Sequence, residues 1–380
     1  MKQTARIIST YSADVFGVCS ALFELGGMVI MHDASGCNST YTTHDEPRWY
    51  DMESMVYISG LSEMEAIMGD DEKLIGDIVA AAEDLKPRFI AVAGTPIPTM
   101  TGFDFQAVAE LIEMRTGIPA FGFPTTGMNT YVHGASMAFE AIVDRFVEKE
   151  AEKTAEPSAN ILGLTPLDFT VNGSDTAIAD FLEDAGFTVL SRWAMGSTLD
   201  DLARAGSAHV NLVVSSSGLA AAKKLQELFG TPYAVGVPMG TEYSALVKDA
   251  LHTAAATLEN QLPGCALQGG DTVIIGEAVT SVSLASALEL STGKSARVIC
   301  PTEVTAGILR KKDIAVTCEE EIDEAIVGAG CIIADPLYRP ICPDTARFVR
   351  LPAENFSGRI WREEIPNLVT NFDVFLKEVQ

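Results

Sequence analysis

The chain has 380 residues, 47% hydrophobic and 21% charged. That is enough apolar material for several packed cores and too little charge for a disordered chain. Its 26 Lys and Arg stand against 52 Asp and Glu, a net charge of −26, which argues against nucleic acid and anionic membranes as partners. No apolar run approaches the roughly 20 residues of a membrane helix, and no signal-peptide core opens the chain. A soluble, cytoplasmic protein is expected.

In chain order, a helix-like run begins near Asp14 and an apolar strand covers 28–31. A helix over 72–85, a strand over 88–94, a helix over 105–116, a strand over 118–123 and a helix over 134–149 complete a first unit. The charged run 148–158 ends in Pro-Ser and reads as a linker. A second unit takes strands over 160–164, 187–190 and 210–214, with helices over 174–185, 199–203, 218–229 and 241–260. A third takes strands over 272–275, 296–300 and 331–334, a helix over 280–290, and a Pro- and aromatic-rich tail to Gln380. Strands alternating with helices predict an α/β protein of three stacked Rossmann-like domains with parallel sheets, at 1–156, 157–262 and 263–380. Ligands in such folds sit beyond the carboxyl ends of strands, in clefts between domains.

Seven cysteines, an odd number spread along the chain, read as free, buried or metal-ligating thiols rather than disulfides. No two fall at CxxC or CxxxC spacing, so any ligand set must converge from distant segments or a second chain. The loop after the first strand, His32-Asp-Ala-Ser-Gly-Cys37, sets a thiol just past a strand end, with Gly36 allowing close approach of the backbone. Either a soft-metal ligand or an ordinary buried cysteine fits that place. Cys19 lies in the preceding helix-like run, one helix and one strand away from Cys37. Near a helix start, the dipole would lower its pKa. Cys300 and Cys331 border apolar strands and read as core. Cys265 and Cys342 fall on loops that could face a cleft, and Cys318 has no partner at metal-site spacing.

Gly94-Thr-Pro-Ile-Pro-Thr-Met-Thr-Gly-Phe-Asp104 follows the strand over 88–94 as a loop on the cleft side. Ser291-Thr-Gly-Lys-Ser295 imitates the end of a phosphate-binding loop, but Leu288 stands where its first glycine belongs. A helix end capped by Gly293 explains it better. No nucleotide site is expected on this chain. His32, His44 and His133 are candidates for acid–base work, against the commoner structural role. Arg48-Trp49-Tyr50 reads as a wall for a planar ligand or, more readily, as an interface patch. The acidic runs 70–72 and 319–323 read as solvated faces that could dock a basic partner.

Taken together, these stretches resemble component 1 of nitrogenase and its relatives, among them the dark-operative protochlorophyllide reductase and the reductive cyclase of nickel-tetrapyrrole biosynthesis. The resemblance rests on His32-Asp-Ala-Ser-Gly-Cys37, on Gly60 to Leu74, on Gly94-Thr-Pro96 with Gly102-Phe-Asp104, and on Gly117 to Phe123. Gly127-Met-Asn-Thr-Tyr-Val-His-Gly134, Asp271 to Ala278 and Phe356 to Ile360 extend it. It implies that Cys37 and Cys19 are cluster ligands and that Thr95 replaces the third ligand cysteine. Two chains would then offer four thiolates, the number a [4Fe–4S] cluster takes, so the resemblance implies a cluster bridging this chain and a copy or close paralogue. Asp33 or His32 would be substitute ligands.

The cysteine and histidine that hold the nitrogenase cofactor have no match here, so dinitrogen is not the expected substrate. The resemblance further implies an ATP-dependent iron protein as electron donor and a small-molecule substrate in the interdomain cleft. His133 and His32 are the proton-donor candidates. Two other readings fit the same residues: a scaffold or carrier for a metallocluster, and a cluster-free small-molecule-binding relative.

Overall fold

A computed structural model of the protein describes residues 6–7, 11–34, 36, 38, 40–41 and 46–380. Three wholly parallel sheets follow one another along the chain. The first holds β1 (Met28–Met31), β2 (Met55–Ile58), β3 (Ile90–Ala93) and β4 (Ala120–Phe123) in the order β2-β1-β3-β4. Its helices are α1 (Asp14–Leu22), α2 (Glu63–Met68), α3 (Asp71–Leu85), α4 (Pro96–Thr101), α5 (Phe105–Thr116) and α6 (Tyr131–Phe146). Every residue of the central strands β1 and β3 is buried, because helices cover both faces of a parallel sheet.

The second sheet holds β5 (Ser158–Leu162), β6 (Thr188–Arg192), β7 (Val210–Val213) and β8 (Tyr233–Val235) in the order β6-β5-β7-β8. Around it lie α7 (Pro166–Phe169), α8 (Ser174–Asp184), α9 (Leu199–Ala203), α10 (Leu219–Phe229) and α11 (Thr241–Thr257). The third sheet runs β11-β10-β9-β12-β13, from β9 (Thr272–Ile275), β10 (Ala296–Cys300), β11 (Ile314–Ala315), β12 (Cys331–Ala334) and β13 (Arg347–Arg350). Its segment carries α12 (Ala278–Thr292), α13 (Glu319–Ala325), α14 (Glu354–Ser357) and α15 (Leu368–Val379). The fold is the expected three-sheet α/β architecture.

Local chemistry explains the helix limits. Asp104 caps α5 by accepting from the Ala107 amide at 3.0 Å. At the other end of α12, Gly293 takes φ 69° and returns its amide to the Glu289 carbonyl. The residues resembling a phosphate loop are therefore a helix C-cap. Nearly every residue of α12 is buried, as befits a central helix without a polar face.

Helices α1 and α6 cross so closely that only glycine fits at the contact. A Cβ on Gly134 would overlap the Asp14 carbonyl, and one on Gly17 the Tyr131 carbonyl. Replacing Gly134 by alanine is expected to push the helices apart and cost about 1–3 kcal/mol, the usual penalty of overpacking. Thermal denaturation reads it, with alanine at Gly76, a helical position where an added Cβ meets nothing within 4 Å, as the control expected to hold or slightly raise the melting temperature.

The Pro- and aromatic-rich tail is structured. It forms β13 at the edge of the third sheet, then α15, which packs against α8 of the second unit. It thereby closes over the groove between the second and third sheets.

Candidate functional site

In parallel sheets all carboxyl ends point the same way, and the loops leaving them converge. Beyond the ends of β5, β8, β9, β12 and β13 lies a cavity of about 90 Å³. Tyr11, Asp168, Glu277, Ser281, Asp335 and Asn355 give it polar groups; Met239, Leu351, Pro352, Leu368 and Val369 give it apolar wall. Among the described residues no Lys, Arg or His lines it.

Each acid is held by donors its local turn supplies. Glu277 precedes α12 and caps it, accepting from the Val279 amide at 3.0 Å and the Thr280 amide at 2.9 Å. It also accepts from the Ser216 amide at 2.9 Å, which ties the third sheet to the second. Asp335 accepts from the amides of Leu337 and Ala353, both at 2.9 Å, and from the Ser357 hydroxyl at 2.7 Å. Burial nevertheless raises its carboxyl above the ordinary range.

Asp168 is held more loosely. It is partly buried and lines the cavity. The hydroxyls of Tyr131 and Thr165 donate to it, the latter at 2.8 Å, and the Asn355 amide approaches at 3.3 Å. Burial, reinforced by the Glu277 carboxylate, raises Asp168 to about 7. A carboxyl poised at neutral pH can hold and release a proton. The Asn355 amide nitrogen donates to the Tyr131 hydroxyl at 2.8 Å. Its Oδ1 has no partner among the described residues, although Asn355 is only 3% exposed.

The residues singled out from sequence lie elsewhere. Cys19 is the sixth residue of α1 and wholly buried in one chain. Burial first, and the Glu46 carboxylate second, push its thiol far above the ordinary range. The helix start expected to lower it is not where it sits; as packed it is a core side chain. Cys37 and His44 lie outside the described residues. Gly36 is described and exposed, with nothing within 4 Å of an added Cβ.

Thr95 is buried and donates to the His32 carbonyl at 2.9 Å. The His32 ring sits 2.9 Å from the Ser59 hydroxyl and packs on Phe103 with centroids 4.4 Å apart. Burial lowers His32 to about 4, against the pull of the Glu65 carboxylate. It is neutral at pH 7 and a poor proton donor there. His133, expected at the cleft, is exposed in the first turn of α6 and lines a separate groove with Ser136, Lys223 and Glu303.

Arg48 forms neither a ligand wall nor a surface patch. It is buried, with Nε 2.7 Å from Glu46 and Nη1 2.8 Å from Glu24. Cys265 and Cys342 do not line the cavity; the Cys342 thiol donates to the Tyr338 carbonyl at 3.3 Å. No cluster of three or more His, Cys, Asp or Glu suited to a metal occurs among the described residues. No described helix is long and apolar enough to cross a membrane.

Sequence reasoning missed Asp168, Glu277, Asp335 and Asn355. The first three carried a usable signal, since each stands within a few residues of a strand's carboxyl end. Asn355 carried none.

Known proteins share this architecture. The sequence model of a family described as nitrogenase component 1 type oxidoreductase matches residues 14–262. A light-independent protochlorophyllide reductase subunit from Nostoc punctiforme is 30% identical over 190 residues, 47% of this chain and 37% of that protein. The nitrogenase iron-molybdenum cofactor biosynthesis protein NifE of Clostridium pasteurianum is 26% identical over 181 residues, 47% of this chain and 38% of that one. The matched stretch is thus well under half the length of these relatives. A solved structure titled nitrogenase Cp1 at pH 6.5 superposes with a TM-score of 0.71 at 16% identity, over all of this chain and 93% of that one. At that identity the likeness speaks for the fold.

Proposed function

This chain belongs to the nitrogenase component 1 type oxidoreductases, and on that premise we propose that it is the substrate-reducing partner in a two-component system. A separate ATP-hydrolysing iron protein would supply electrons, and a small molecule other than dinitrogen would be reduced in the cavity between the second and third sheets. The chain would work in the cytoplasm, paired with a copy of itself or a close paralogue. What supports the reading is Asp168: a reduction needs protons where electrons arrive, and this carboxyl is poised near neutrality on the cavity wall. Tyr131 and Asn355 fix its orientation.

Family membership implies an iron–sulfur cluster, and the described donors do not fit one. Cys19 presents no surface to a second chain, and the Thr95 hydroxyl is committed to a backbone carbonyl. The expected bridging [4Fe–4S] cluster would therefore need Cys37 and a rearrangement of α1. In the cavity, Asp168 donates a proton to the substrate, Tyr131 and Asn355 hold the carboxyl toward it, and the apolar wall limits the water that enters.

The likeness to NifE favours a second reading, a scaffold that carries a metallocluster. Against it, neither Cys nor His lines the cavity among the described residues. Iron and acid-labile sulfide on anaerobically purified protein, with its mass in solution, separate these readings. About two of each per chain in a dimer means one shared four-iron cluster. Turnover that requires the iron protein and falls about 10²–10⁴-fold in Asp168→Asn then supports the reductase. Metal that transfers to an acceptor without turnover supports the scaffold. No iron after reconstitution overturns both.

A further inference from the structure

We infer that the cavity between the second and third sheets is a binding site for a small organic cation, an alkylammonium or amidinium with a short hydrocarbon body. The inference rests on the reading of this cavity as the substrate site and names the class of ligand it takes: an amidinium carries the C=N bond a reduction needs, and an alkylammonium is its saturated counterpart. Three carboxyl groups, Asp168, Glu277 and Asp335, line the space, and no basic side chain among the described residues balances them. Such an arrangement repels an anionic ligand and leaves a cation the favoured occupant.

The second observation is independent of charge. Asn355 turns its amide nitrogen to Tyr131 and Asp168, which are acceptors, so its Oδ1 is the acceptor left over. A buried carbonyl without a partner forfeits the hydrogen bonds it would make in water, and this one belongs to a side chain on the cavity wall. A ligand that donates a hydrogen bond would satisfy it. Asn355 Oδ1 and the ionised carboxylates ask for donors, and an ammonium or amidinium has several.

The walls and the volume fix the rest. Met239, Leu351, Pro352, Leu368 and Val369 suit a short hydrocarbon portion. An engineered cavity of about 150 Å³ holds benzene; by that measure the 90 Å³ here takes roughly four non-hydrogen atoms. A macrocycle such as the substrate in the name of the protochlorophyllide reductase relative is far larger.

The test is calorimetric titration of the full chain with propylammonium and acetamidinium chlorides, against sodium propionate and propionamide at equal ionic strength. Saturable one-to-one binding of either cation, at least tenfold tighter than propionamide and with propionate silent, is the expected result. Val369→Phe fills the cavity with hydrocarbon at a half-buried position, and is expected to weaken the cation at least tenfold without lowering the melting temperature. Asn355→Leu removes the free acceptor and is expected to weaken it as well. Equal binding of cation and amide, or cation binding unchanged in a folded Val369→Phe, overturns the inference. The iron and sulfide assay is a separate readout: cation binding without iron removes the reductase reading and leaves the site, whereas iron without cation binding does the reverse.

Discussion

Replacing Arg48 by methionine is expected to destabilise the protein by about 3–5 kcal/mol, the cost of stranding one charge of a buried pair. Arg48 reaches Glu46 through Nε at 2.7 Å and Nη2 at 2.9 Å, a two-point clamp on a carboxylate with no exposed side-chain surface. Its Nη1 holds Glu24 at 2.8 Å and the Ala194 carbonyl at 3.2 Å, and Nη2 donates to the Ser20 carbonyl at 2.9 Å. The guanidinium lies 4.6 Å above the Phe23 ring. One side chain thus ties the end of α1 to the loop before β2 and to the second sheet. Methionine replaces the stem but leaves the buried Glu46 carboxylate without its guanidinium, held by the Ser20 and Tyr41 hydroxyls at 3.1 and 3.2 Å and by the backbone amide of residue 48 at 3.0 Å.

At about 2 °C per kcal/mol for a chain of this size, the melting temperature should fall by roughly 6–10 °C. Adding Glu46→Gln should return a large part of the loss, because the stranded charge is then gone. A single variant within about 1 kcal/mol of the parent would mean that the pair is not buried as described. Equal losses in the single and double variants would mean that Arg48 acts through its packing alone.

Arg48 also shows where reading the sequence stops. Elements with a strong period were legible: β9, β10 and β12 fall on the expected residues, as do α5 and α9. Buried parallel strands are short apolar runs, and their helices carry caps that can be read locally. β2, β8, β11 and β13 were missed. Met55–Ile58 is a four-residue, largely unburied strand at a sheet edge, Arg347–Arg350 mixes polar and apolar residues at another, and Tyr233–Val235 is very short.

The site was less legible than the fold, for a physical reason. The place of the candidate cavity, beyond strand ends, follows from topology. Its residues come from five strand ends and two tail segments, and nothing local marks Asn355 as the partner of Tyr131, 224 positions away. Attention went instead to His, Cys and Arg, whose chemistry is conspicuous in any context. Context reversed several of them: a thiol inside a helix is core, and a guanidinium between two carboxylates is a strut.

Asp168→Asn is expected to change the pH dependence of stability as much as it changes catalysis. The folded protein holds the Asp168 proton up to about pH 7, whereas an unfolded aspartate loses it near ~3.9. Between these values the native state binds a proton that the unfolded state does not, so stability falls as pH rises. The contribution is fully present below pH ~3.9 and lost by pH ~7, an amount on the order of 4 kcal/mol. The groups that set it come from every side: Tyr131 of α6, Thr165 before α7, Ser215 after β7, Glu277 before α12 and Asn355 in α14.

Asparagine keeps the shape and still accepts from Tyr131, but carries no charge to bury. The variant should melt within a degree or two of the parent near pH 4 and well above it at pH 8. Parallel melting profiles would show that Asp168 is ionised in the folded state and would remove it as a proton donor. A variant that is more stable at pH 8 yet about a hundredfold slower would show why the parent keeps the acid. The same buried carboxyl that weakens the fold at neutral pH is the one able to deliver a proton there.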